Sequence, residues 1–165
     1  MLLVPEAEPL LDHVRSQTGA LAPGMPAHVT LLYPFTSEPD AGVLAELAFF
    51  FSGIDGFPLT FGSIAEFPEV VYLAPDQVTE CQELTAALAR RWPDFPPYGG
   101  LFEEVVPHLT VVNSPDGDLR SRARAAVETE LPVASRASEA SLWVREPAGW
   151  RCLDTFPLAP AEPEI

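Results

Sequence analysis

The period of apolar and polar positions changes repeatedly along this chain, and each change marks an element. Residues 2–4, Leu-Leu-Val, predict a short first strand cut by Pro5. Leu10, Leu11 and Val14 then recur at helical spacing, which predicts a helix over 8–18. Residues 19–26, GALAPGMP, are rich in breakers and predict a loop. HVTLLY at 28–33 reads as a strand bounded by prolines. A capping run before an apolar stretch that ends at Gly53 predicts a helix from about Pro39 to Ser52. Strands are predicted at 57–67, with Gly62 placed for a bulge, and at 70–75. Asp76 stands where a cap belongs, ahead of Val78, Cys81, Leu84, Ala87 and Leu88 at helical spacing. A loop loaded with Pro and Gly spans 93–106, and HLTVV at 108–112 reads as a strand. A capped helix falls within 114–131, and 138–146 with 150–158 read as a closing hairpin.

Set side by side, the two halves repeat. Each reads strand, helix, His-x-Thr strand, helix, strand, and the second adds a strand. His28 and His108 stand 80 residues apart, about half the chain. The pattern predicts a duplicated α+β unit whose two lobes face each other across a cleft. One domain would cover 1–165, its lobes at about 1–68 and 69–165 and joined near 67–70.

Composition narrows the ligand. Apolar residues make up 47% of the 165, so the chain folds around a core. No apolar run is long enough to span a bilayer, and the N-terminal stretch has no secretory pattern, so a cytoplasmic protein with no membrane partner is expected. Cys81 and Cys152 fit no metal spacing and read as free, mostly buried thiols. Nine arginines, no lysine and 24 acids give a formal charge of −15. Such a field repels duplex nucleic acid, whose affinity rests on phosphate contacts, but leaves room for a small anion gripped in a local pocket.

The histidine strands supply the candidate chemistry. Alternation puts His28, Thr30 and Leu32 on one face and Val29, Leu31 and Tyr33 on the other. The same count sets His108, Thr110 and Val112 against Leu109 and Val111. If the faces meet, two imidazoles and two hydroxyls surround one spot. Phosphoryl transfer needs a base for the attacking oxygen and an acid for the leaving one, and histidine serves as either near neutral pH. Threonine hydroxyls can donate to non-bridging phosphate oxygens. No metal is required, and the acids form no ligand-spaced cluster beside the histidines. A lone strand histidine is usually a satisfied core or boundary residue. Threonine is nine of the 165 residues, so two of three histidines carrying His-x-Thr is roughly a one-in-a-hundred coincidence on composition. His13, on the predicted amphipathic helix, reads as a surface residue.

Two H-x-T motifs, His28-Val29-Thr30 and His108-Leu109-Thr110, each on an apolar strand in duplicated surroundings, resemble those of the 2H phosphoesterase superfamily. The nearest likeness is its bacterial 2′-5′ RNA ligase-like and cyclic phosphodiesterase branch. The resemblance covers nearly the whole chain. It implies two antiparallel-rich sheets flanking a central cleft, with helices outside. It also implies metal-independent chemistry at 2′,3′-cyclic or 2′-5′ phosphodiester bonds. His28 and His108 would be catalytic, Thr30 and Thr110 would hold phosphate, and no cofactor would be needed. The scarcity of basic residues favours a small nucleotide or an RNA terminus as the partner of a monomeric protein. The competing reading is a nucleotide- or RNA-end-binding module that keeps the cleft without turnover; a third is an acidic structural protein.

Other groups have weaker claims. Tyr98, in PPYGG, is placed to stack on a base or donate to phosphate, against the plainer reading of a packed turn tyrosine. Arg145 would supply positive charge near the phosphate, although a terminal-strand arginine usually faces solvent. Phe35 and Phe67 end strands that border the cleft, with core packing the better expectation. RSRARAA at 120–126 reads as an ion-paired, solvated helix face.

Overall fold

In chain order the elements are β1 (Leu2–Leu3), α1 (Glu8–Thr18), β2 (His28–Val29), α2 (Ala41–Ser52), β3 (Phe57–Phe67), β4 (Val70–Pro75), α3 (Val78–Arg91), β5 (Leu109–Asn113), α4 (Gly117–Glu128), β6 (Val133–Ala137), β7 (Glu139–Glu146) and β8 (Gly149–Pro157). They come from a computed structural model that describes residues 1–20 and 24–160. Residues 21–23 of the expected 19–26 loop lie outside the described residues.

The strands form two four-stranded antiparallel sheets, ordered β2-β1-β7-β8 and β5-β4-β3-β6. The α+β class and the paired sheets agree with the sequence pattern. The sheets do not follow the division at about residue 68, because each draws strands from both halves. Residues 67–70, expected to join the lobes, are a hairpin turn: Phe67 pairs with Val70, and Glu69 takes a φ of 67°. So short a link keeps β3 and β4 in one sheet. The β7–β8 hairpin then returns the end of the chain to β1.

Local chemistry explains most boundaries. Asp40 caps α2 by accepting from the Val43 N–H, and Asp116 caps α4 by accepting from Asp118 and Leu119; such caps contribute about 1 kcal/mol each. Asp76 does not cap α3. Gln77 occupies that position without a side-chain cap bond; its Oε1 instead accepts from the Thr60 N–H, tying the helix start to β3. The register of β3 against β4 shifts across Gly62, where the bulge was expected. Strand β6 is an element the sequence pattern missed, since VASRA has no clear alternation; pairing with β3 makes it.

Both histidine strands depart from simple alternation. Strand β2 stops at Val29 because β1 offers only Leu2 and Leu3 to pair with. Leu31 stays buried, but Tyr33, expected on the packed face, is 50% exposed. Strand β5 carries an irregularity at Val111: Tyr72 pairs with Thr110 and Val71 with Val112. That extra residue returns Val112 to the face of Leu109, and both are buried, contrary to the predicted grouping of Val112 with His108.

Helices cover the sheets. Leu10, Leu11 and Val14 of α1 and Ala123 and Val127 of α4 are buried where these helices pack together. Around α2, Phe51 stacks on Phe156 of β8 at 5.8 Å, while Phe35, Phe50, Trp92 and Phe95 close an aromatic seam. No helix among the described residues is long and apolar enough to cross a membrane.

Candidate active site

Strands β2 and β5 are the edge strands of their sheets and lie beside each other. His28 opens β2, and His108 stands immediately before β5. The two rings are held alike: His28 Nδ1–H donates to the Pro26 carbonyl and His108 Nδ1–H to the Val106 carbonyl, both at 2.8 Å. A carbonyl oxygen can only accept, so the proton must sit on Nδ1 and Nε2 is left for other work. Local sequence sets this geometry. Pro107 holds Val106 extended ahead of His108, and the Ala27 N–H is tied to the Glu8 carboxylate ahead of His28. Phe67 and Tyr72 meet the His108 ring edge-on at 5.2 and 5.5 Å and stack on each other at 4.3 Å. Phe67 thus packs against a motif histidine.

His28 and His108 line one cavity of about 460 Å³, together with Thr30, Tyr98 and Arg145. Thr110 lies apart from this group. It lines an adjoining cavity of about 600 Å³, which His28 and Met25 also border. Five of the six predicted residues therefore share one space, His28 and Thr30 from β2 and its exit, His108 from just before β5, Tyr98 from the preceding loop and Arg145 from β7, and the sixth lies just across His28. The charge of the lining is unlike that of the chain. No Asp or Glu is among the described residues lining either cavity, and each has one arginine, Arg15 or Arg145. Two other surface cavities carry three acids each, Asp55, Glu80 and Glu83 in one and Glu6, Glu8 and Glu139 in the other. The acids that give the chain its −15 are kept out of the space the histidines share.

Burial lowers the pKa of the His28 imidazole below the ordinary histidine value. The Pro26 carbonyl and Glu8 oppose this, while the Met1 amino group and His108 add to it. His28 therefore sits neutral at neutral pH, with a free lone pair on Nε2. Burial also raises the Tyr98 phenol, which keeps it a protonated donor. Arg145 has no carboxylate partner among the described residues; its guanidinium lies over the Trp150 ring at 5.6 Å. The RSRARAA arginines are spent elsewhere, Arg122 on Asp118, Arg124 on Glu66 and Glu128, and Arg120 on the Ser114 carbonyl. Among the described residues no three His, Cys, Asp or Glu side chains are grouped to hold a metal ion.

Of the aromatic border of the cavity, sequence reasoning named Tyr98 and Phe35 but missed Tyr33 and Trp150. Tyr33 lies 6.5 Å from Tyr98 and 6.3 Å from Trp150, and Tyr98 is 5.7 Å from Phe102. Tyr98 reaches this place through a left-handed backbone, with φ 51° followed by Gly99 and Gly100 at 65° and 75°. The only sequence signal was the Tyr-Gly-Gly turn. The early end of β2, which frees Tyr33, has no local signature.

The pattern of the 2′-5′ RNA ligase superfamily matches residues 3–149. Among solved structures the fold is similar to that of E. coli LigT complexed with NADP+, at 21% identity and a TM-score of 0.60, over 95% of this chain and 93% of that one. It is also similar to a crystal structure of a phosphoesterase, at 19% identity and a TM-score of 0.56 over 96% and 95% of the two chains. E. coli LigT complexed with 3′-AMP gives 17% identity and a TM-score of 0.56 over 96% and 95%. No curated protein sequence matches significantly. A family pattern running through both histidine strands, on a fold shared with LigT across almost the full length, makes this chain a member of the 2′-5′ RNA ligase superfamily, the 2H phosphoesterases.

Proposed function

We propose that this chain hydrolyses 2′,3′-cyclic phosphates or 2′-5′ phosphodiesters of nucleotides or RNA ends, with its two histidines as base and acid. Superfamily membership supports phosphoesterase-type activity in general; the substrate and the residue roles are the proposal. The observation that carries it is the matched pair of imidazoles, each with Nδ1–H fixed on a carbonyl, sharing one cavity free of acidic side chains among its described lining.

The assignment of the base follows from burial. His28, neutral through burial, takes the proton from water as its oxygen attacks phosphorus. His108, as the acid of this scheme, gives its Nε2 proton to the departing ribose oxygen. The new bond is water oxygen to phosphorus, and the broken bond is phosphorus to the 2′ or 3′ oxygen. Water is consumed, and a proton passes back from His28 to His108 through solvent before the next turnover. The Thr30 hydroxyl, and that of Thr110 from the adjoining cavity, donate to the non-bridging oxygens as charge builds on them. Arg145 offsets the remaining charge, and Tyr98 donates from the cavity wall. Side chains supply every proton and donor in this scheme, so it needs no metal. LigT in complex with NADP+, 3′-AMP and ATP supports a nucleotide-sized ligand over a polymer.

The test is a screen of 2′,3′-cyclic mononucleotides, 2′-5′ dinucleotides and cyclic-phosphate-ended RNA at fixed salt, with and without chelator. The reading expects chelator-insensitive hydrolysis that falls about a hundredfold or more in His28→Ala and in His108→Ala. Normal turnover in both variants would sink it. Nucleotide binding without turnover in the wild-type chain would select the binding module instead.

A further inference from the structure

Both imidazoles hang from a carbonyl, but the two carbonyls belong to different kinds of peptide group. The Pro26 carbonyl that accepts from His28 Nδ1–H shares its peptide group with the Ala27 N–H, and that N–H donates to the Glu8 carboxylate at the start of α1. Imidazole, peptide and carboxylate thus form one unbroken line of hydrogen bonds. Ala27 is buried, and its own carbonyl accepts from the Val4 N–H at 2.8 Å, so it is tied on both sides. The Val106 carbonyl that holds His108 belongs to a peptide group closed by Pro107, which has no N–H to pass on. Gln82 of α3 instead donates to the preceding carbonyl, that of Val105, at 2.9 Å. The difference is written in the sequence, as Pro-Ala-His at 26–28 and Val-Pro-His at 106–108. A peptide group that donates to a carboxylate is polarised, and its carbonyl becomes the stronger acceptor.

We infer that Glu8 is a positioning residue for the base: through the Pro26–Ala27 peptide group it supports the positive charge that His28 gains on taking a proton from water. This deepens the phosphodiesterase reading and rests on it for the need for a base, but not for the bonds themselves. No proton travels along the line. The Nδ1–H and the Ala27 N–H stay where they are, and only Nε2 gains and loses one. The carboxylate does what an aspartate does when bonded directly to a catalytic imidazole, with one peptide group set between them. Its place behind the strand keeps its negative charge away from a phosphate, because Glu8 lines neither histidine cavity. The other charges that face His28 are the Met1 amino group ahead of β1 and His108 beside β5; both disfavour protonation of His28, and Glu8 favours it. Around Glu8 itself stand Arg15 at 3.9 Å on the same helix, and Glu6, Glu139 and Arg136 about a surface cavity. Arg15 makes its closer bond, 2.8 Å, to Asp12.

The test follows the histidine ring signals by NMR across pH on the full chain, with steady-state hydrolysis of 2′,3′-cyclic AMP in parallel. Glu8→Gln keeps an oxygen to accept from Ala27 and removes the charge; a purely structural Glu8 would be replaced fully by glutamine. Asp12→Asn is the control, since it removes a charge one turn along the same helix and makes its bond to Arg15 alone. The His28 signal is identified by its loss in His28→Ala. In Glu8→Gln this signal should titrate at lower pH than in the wild-type chain, and the acid limb of the kcat profile should move down with it. Taking the charge from one hydrogen bond corresponds to roughly a five- to tenfold fall in kcat, with KM little changed because Glu8 lies outside both cavities. Asp12→Asn should change none of these. The inference is overturned if Glu8→Gln leaves the His28 titration in place, if Asp12→Asn lowers it equally, or if the titration moves while kcat and its pH profile do not. A wild-type chain without turnover, in which Glu8→Gln still moves the His28 titration, refutes the phosphodiesterase and supports the hold of the carboxylate on the imidazole.

Discussion

Replacing Phe67 by leucine should separate the positioning of His108 from its chemistry. Phe67 lies 5.2 Å from the His108 ring at 86° and stacks at 4.3 Å on Tyr72, itself 5.5 Å from the same imidazole. Leucine keeps most of the apolar volume and abolishes two aromatic pairs. At about 0.5–1.5 kcal/mol per pair, the loss is about 1–3 kcal/mol. For a chain of this length each kcal/mol lowers Tm by roughly 2–4 °C. The Val106 carbonyl still anchors Nδ1, but the ring gains freedom to rotate about that bond. Misplacement of a proton-transfer group by a fraction of an ångström should lower kcat by roughly tenfold to a hundredfold and change KM little. The assay is steady-state hydrolysis of a 2′,3′-cyclic nucleotide across pH, paired with thermal melts. Phe51→Leu is the control: Phe51 stacks on Phe156 and does not line the histidine cavity, so Tm should fall without the loss of kcat. If Phe67→Leu lowers Tm and leaves both kcat and the pH profile intact, the aromatic wall is packing alone.

Thr30→Val and Thr110→Val each keep the shape and delete one donor. Each should cost about a hundredfold in kcat, and an unaffected Thr110→Val would mean that its hydroxyl does not reach the phosphate from the adjoining cavity. Because burial holds the folded His28 pKa below its unfolded value of about 6.5, the unfolded chain takes up this proton first as pH falls. Stability measured by urea titration should therefore decline from about pH 7 downward, and His28→Gln should flatten that part of the curve; an unchanged slope would refute the burial argument. Burial pushes the Cys81 thiol up to about 12, whereas Cys152 is exposed. A thiol reagent at pH 8 should modify one cysteine in the folded chain and both in denaturant, and rapid modification of both while folded would contradict the packing around α3.

The grouping of the two histidines was more legible in the sequence than the topology. Two His-x-Thr strands in duplicated surroundings pointed to His28, Thr30 and His108, which share one cavity, and to Thr110 in the adjoining one, because a histidine on an apolar strand is a local anomaly that survives any arrangement of sheets. Which sheet a strand joins is decided by pairing between distant segments. No periodicity at 57–67 says that β3 leaves the first half to sit between β4 and β6. The exit of Tyr33 from its strand depends on the shortness of β1, and the return of Val112 to the buried face depends on one irregular residue opposite β4. Cap positions were legible where the following helix was free to use them, at Asp40 and Asp116. Asp76 failed because the strand pairing runs on through its backbone N–H to Thr60 and the helix starts one residue later, with Gln77 at the cap position.

The most direct measurement is a crystal structure of the chain with a nucleoside 2′-phosphate bound. The account predicts the phosphate within hydrogen-bond reach, about 2.6–3.2 Å, of Nε2 on both His28 and His108. A phosphate touching one ring alone, or lodged outside the cavity they share, would contradict it.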